Sequence, residues 1–73
     1  MIINIYKDSD ERKTTPIETL KVSPGRKSWD LLLQTCEKHN VSDALSITIN
    51  DLVLYGWDEI DEWVLGGAPY WAR

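Results

Sequence analysis

Seventy-three residues, with one cysteine, one histidine and a formal net charge of −4, bound a single small domain. The lone Cys36 excludes a disulfide, the lone His39 argues against zinc, and no apolar run nears the ~18 residues of a membrane span. Residues 1–40 carry seven bases and six acids, whereas residues 41–73 carry six acids against Arg73 alone, so the halves stand at +1 and −5.

Ile3 and Ile5 alternate with Asn4 and Tyr6, which predicts a strand over 2–7. With no basic segment ahead of that strand, a signal peptide is not expected, and a cytoplasmic location with a reduced thiol is. Residues 8–15 are polar throughout and predict an exposed loop. Ile17, Leu20 and Val22 mark a second strand near 17–22, with Thr19 interrupting the alternation, and Ser23-Pro24-Gly25 predicts a turn. Trp29, Leu32, Leu33 and Cys36 then recur at i, i+3, i+4 and i+7, predicting a helix over 27–39 with Ser28 as N-cap and Asn40 as a left-handed stop. Leu45, Ile47 and Ile49 alternate with Ser46, Thr48 and Asn50 in a third strand, and Asn50-Asp51 is a turn signal. Leu52-Val53-Leu54-Tyr55 reads as a fourth strand, apolar on both faces as a central strand would be. Trp57, Ile60, Trp63 and Val64 follow at helical spacing, closed by Gly66-Gly67, and Ala68 to Trp71 form an extended tail.

The expected fold is therefore α+β. A small mixed sheet of about four strands has one main helix packed across it, in ββαββ order, with a short C-terminal helical turn, in one domain over 1–73. In the order and length of its elements, residues 2–56 resemble the ubiquitin-like β-grasp. A chain this short buries only roughly 60% of its unfolded surface. Aromatic side chains that bury ~150–250 Å² each become the main source of core area, and Trp29 and Trp63 are expected in the core, with Trp57 or Trp71 exposed.

Five of the seven aromatics, Tyr55, Trp57, Trp63, Tyr70 and Trp71, fall in the last nineteen residues, beside Asp58, Glu59, Asp61 and Glu62. Aromatics next to charge of one sign suit a surface built to be bound. The expected partner-binding set is Asp51, Tyr55, Trp57, Asp58, Glu59, Asp61, Glu62 and Trp71. Duplex recognition relies on Lys and Arg, so the acidic half points away from direct nucleic-acid binding and toward a protein partner with a basic surface, nucleic-acid-binding proteins included. The competing reading is a solvated face that keeps a small protein soluble. In size, charge and the absence of a catalytic set, the chain resembles small phage-encoded inhibitors such as nucleic-acid mimics and anti-CRISPR proteins. The acids number too few for a strict mimic, because site-specific proteins meet ~6–10 phosphates.

Other patterns carry less chemistry. Cys36 and His39 lie three apart and could form an activated thiolate, but Cys36 sits on the apolar face of its helix, so a buried, unreactive thiol is expected. Catalytic carboxylates need a raised pKa from burial, and the acids of 58–62 lie opposite the apolar side of their helix. No catalytic residue, metal or cofactor is expected, and the protein is read as a non-enzyme. Arg26 and Lys27 at a helix start could hold an anion, with a plain turn as the alternative. Gly66-Gly67 supports an alternative function. The β-grasp resemblance implies a carrier protein modified at a terminal Gly-Gly, here after removal of Ala68 to Arg73; a helix C-cap is the simpler account of the pair. A homo-oligomer burying Tyr70 and Trp71 between chains is a third possibility.

Overall fold

The computed structural model describes residues 1–66. Within them a four-stranded sheet, β1 (Ile2–Ile5), β2 (Glu18–Lys21), β3 (Ile47–Ile49) and β4 (Leu52–Val53), carries one long helix, α1 (Arg26–Lys38). A 3-10 turn (Ala44–Ser46) leads into β3, and a short helix, α2 (Trp57–Asp61), runs into a π-helical turn (Glu62–Gly66). The strand order is β2-β1-β3-β4. All three pairings are antiparallel, so the sheet is purely antiparallel rather than mixed. β2 and β3 flank β1 and run the same way, which makes α1 the crossover between them.

Register follows from the apolar alternation. Ile3 pairs with Leu20 and Ile49, and Ile5 with Glu18 and Ile47, so the isoleucines of β1 and β3 line one face. All four are at most 1% exposed. A slip of one residue would turn every one of them to solvent. The β3–β4 hairpin closes at Ile49 and Leu52. Asn50 and Asp51, at φ 51° and 66°, fill the two left-handed positions of a type I′ turn. Asn50 is also tied to β1: its Oδ1 accepts from Ile2 N at 2.9 Å, and its N–H donates to the Ile2 carbonyl at 2.8 Å.

β4 is an edge strand, not a central one. Only two of its residues pair, and Leu52 and Val53 remain 53% and 37% exposed. Its apolar run is instead the approach to Leu54, which is buried. Leu45 likewise leaves the third strand: the 3-10 turn carries it outward, 41% exposed, while Ala44 and Ser46 turn in. Asp43 caps this turn by accepting from Leu45 N at 2.9 Å.

α1 begins one residue earlier than its apolar spacing suggests, and Ser28 is not its cap. Gly25 holds the N-cap position at φ 155°, a conformation that residues with a Cβ rarely adopt and only with strain. Ser28 instead lies in the first turn, buried, with Oγ donating to the Ser23 carbonyl. The helix ends as expected, with Asn40 left-handed at φ 57°. Its inward line is Ser28, Leu32, Thr35 and Cys36. Trp29 flanks this line, half-buried against the core, and Leu33 is 40% exposed. Trp63 is also half-buried, so neither indole is a central core residue. The deep core is aliphatic: Ile3, Ile5, Leu32, Ile47, Ile49, Ile60 and Val64 are fully buried, at ~1.5–3 kcal/mol each. Among the described residues no helix is long and apolar enough to cross a membrane.

Candidate functional site

The acidic surface exists because a very short helix is pinned from below. A five-residue helix does not hold by itself, and α2 carries acids in its first turn, at Asp58 and Glu59. The helix dipole favours those two. Ile60 and Val64, both 0% exposed, drop into the core that α1 and the sheet enclose. The Gly25 amide donates to the Val64 carbonyl at 2.7 Å, fixing the π-helical turn to the start of α1. At the other end Trp57 meets Trp29 edge to face, with ring centroids 6.3 Å apart and planes at 80°. The Trp57 Nε1–H donates to the Ser42 carbonyl at 3.2 Å. Glu59 serves the helix as well, since its Oε2 accepts from Tyr55 N at 3.3 Å, just outside the first turn.

With Ile60 and Val64 facing in, the carboxylates face out. Asp58 and Glu59 are exposed, while Asp61 and Glu62 are half-buried, less solvated than their spacing suggests. Asp58, Asp61 and Glu62 line a shallow groove with Leu65 and Gly66. Among the described residues the ion pair is Arg26–Asp30 at 3.6 Å, and His39 Nε2 lies 3.5 Å from a Glu18 carboxylate oxygen. Neither involves an acid of the 58–62 segment. Tyr55 stands beside this segment at 80% exposure, after Leu52 and Val53 on the exposed edge strand. Asp51 is exposed at the tip of the hairpin.

The structure thus brings Tyr55, Asp58, Glu59, Asp61 and Glu62 together around α2. Trp57 belongs to the same helix, but its ring is committed to Trp29 and Ser42 and is half-buried, so it anchors the surface more than it decorates it. Trp71, Tyr70, Gly67 and Arg73 lie outside the described residues. Gly66 is exposed and ends the π-helical turn.

Cys36 and His39 do not form a reactive pair. Cys36 is 4% exposed, and burial, with the charge of Asp8 adding to it, pushes its thiol up to about 11. His39 closes α1 and presents Nε2 to Glu18 instead. Among the described residues no group of three or more His, Cys, Asp or Glu side chains is placed to hold a metal ion.

One polar device has no signature in the local sequence. The Asp8 carboxylate accepts from Ser42 N at 3.1 Å, Ser42 Oγ at 3.3 Å, Asp43 N at 3.2 Å and Ser46 Oγ at 2.6 Å. The Ser46 bond, first, and the Ser42 and Asp43 bonds hold Asp8 below the usual carboxylate range, against a smaller opposing effect of desolvation. Because Ser42 also receives Trp57, this clamp ties the start of the 8–15 loop to the turn on which α2 leans. A serine and an aspartate ahead of Ala44-Leu45 are a cap signal, but nothing local points to Asp8, 34 residues earlier. No protein-family model, curated protein or solved structure matches the chain.

Proposed function

We propose that the protein is a non-enzymatic interaction module whose acidic α2 surface docks a basic site on a larger protein. The observation that carries this reading is the arrangement around α2. Three carboxylates on α2 and that of Glu62 just after it, none of them in a described ion pair, stand next to a tyrosine that is 80% exposed. Charges of one sign steer encounter and fix register, and a neighbouring aromatic supplies contact area. Repulsion within the cluster, at ~0.2–0.5 kcal/mol per helical pair, is a cost that a cationic partner removes. Nucleic-acid-binding proteins present such cations in arrays, and an inhibitor occupying one of those surfaces is the form of activity this geometry suits.

The test replaces Asp58, Glu59, Asp61 and Glu62 together with Asn or Gln. The Glu59→Gln change keeps an acceptor for the Tyr55 amide, so the melting temperature should hold or rise slightly. Binding to a partner identified by crosslinking should weaken, chiefly through a slower association rate, and its salt dependence should flatten. A neutralised protein that binds as tightly as the parent at low salt would reduce the acids to a solubilising face.

A further inference from the structure

We propose that β2 is a self-association edge, through which a second copy of this chain continues the sheet in antiparallel register. Met1 and Val22 exchange both backbone bonds, at 2.7 and 3.0 Å, which fixes the phase of the β1–β2 ladder. Bonded pairs alternate along an antiparallel ladder. Ile3–Leu20 is therefore a bonded pair, while Ile2–Lys21 and Asn4–Thr19 are not. The N–H and C=O groups of Thr19 and Lys21 consequently point away from β1, and among the described residues β2 is the last strand on that side of the sheet. No described residue pairs with them.

Side chains favour an identical partner. Leu20 on β2 and Leu31 on α1, the latter 41% exposed, form the apolar wall of a groove beside this edge, which Glu18, Gln34, Thr35 and Lys38 complete. A twofold axis through Leu20, perpendicular to the sheet, sets Leu20 against its own copy. Thr19 then faces the second copy's Lys21, and Glu18 faces its Val22. In this register the free donors and acceptors of Thr19 and Lys21 satisfy one another. Leu20 and Leu31 of both copies meet at the axis, and no like charges stand directly opposite. A closed twofold contact uses the same patch twice, and a short edge with a narrow apolar wall is a small interface, so the dissociation constant should be on the order of 100 µM.

Sedimentation equilibrium and amide exchange on the whole chain test the proposal. Across concentrations from roughly tenfold below to tenfold above that constant, the weight-average mass should climb from 8.4 kDa toward twice that value, while the Thr19 and Lys21 amides slow their exchange. Lys21→Pro removes an outward donor without touching the β1 ladder, a position where an edge strand tolerates proline. It should stay monomeric with the parent's circular dichroism. Leu31→Gln keeps the backbone edge and loses the apolar wall, and it should weaken association several-fold. A mass of one chain throughout the range overturns the proposal. So does a dimer in which the Thr19 and Lys21 amides exchange at the monomer's rate, or a folded Lys21→Pro protein that dimerises as the parent does.

Discussion

Replacing Ile60 with Ala tests whether the acidic surface rests on the core. Ile60 is 0% exposed and belongs to the same apolar cluster as Ile3, Ile5, Leu32, Ile47 and Ile49. Truncating a buried isoleucine to alanine costs ~2–5 kcal/mol, of which the residual cavity is a large part. The whole domain, at ~0.05–0.15 kcal/mol per residue, holds about 4–11 kcal/mol, so the substitution removes a large fraction of it. The loss has two routes. Either the domain melts as one unit at a lower urea midpoint, or α2 and the π-helical turn detach first, held back by Val64, Trp63, the Trp29–Trp57 contact and the Trp57–Ser42 and Gly25–Val64 bonds. Tryptophan fluorescence during urea unfolding reads the first route, and amide exchange across residues 57–64 under native conditions reads the second. Ile60→Val should cost ~0.5–1.5 kcal/mol, and Asp58→Ala, a surface control, should stay within ~0.5 kcal/mol. An Ile60→Ala protein that matches the Asp58→Ala control in both measurements would show that α2 is not anchored, and the reasoning about its carboxylates would fall with it.

Two further outcomes follow from the titratable groups. Cys36, with its thiol raised to about 11 by burial, should react with a disulfide reagent at pH 8 only at the rate of local or global opening, and fully after denaturation; fast labelling of the native protein would refute its burial. Asp8 is held below the usual carboxylate range in the folded state, so its contribution is present at neutral pH and lost as pH falls through its folded value. The stability gap between parent and Asp8→Asn, measured by urea unfolding, should therefore be widest above about pH 5 and close toward pH 2; a gap that widens on acidification would contradict the sign.

Much of the fold was legible because apolar spacing carries it. Ile3, Ile5, Ile47 and Ile49 alternate in sequence and line one sheet face, and the recurrence through Leu32 and Cys36 marked α1. What misled was the step from apolar to buried. Trp29 and Leu33 share the stripe with Leu32, yet the helix is rotated so that Ser28 and Thr35 turn inward and the indole lies at the margin. Thr35 reaches this position without polar cost, because its Oγ1 donates to the Leu31 carbonyl at 2.7 Å. Leu52 and Val53 look central by composition, but a strand's neighbours are set by the topology of the whole sheet, and the chain brings nothing described to their far side.

The candidate site shows the same division. That Asp58 and Glu59 face solvent was readable from Ile60 and Val64, four residues apart on the buried side of the turn, whereas Asp61 and Glu62, which lie between those two, are half-buried. How firmly the surface is held was not readable, because its supports are distant in sequence. Gly25 reaches Val64, Trp29 reaches Trp57, and Asp8 reaches Ser42, which in turn receives the Trp57 indole. Each of these contacts joins residues whose local sequence has its own sufficient explanation: a turn glycine, a helix tryptophan, a loop aspartate. They meet only after the hydrophobic faces have chosen their partners. A five-residue helix bearing three carboxylates is therefore held against the core here, although the same residues in isolation would not stay helical.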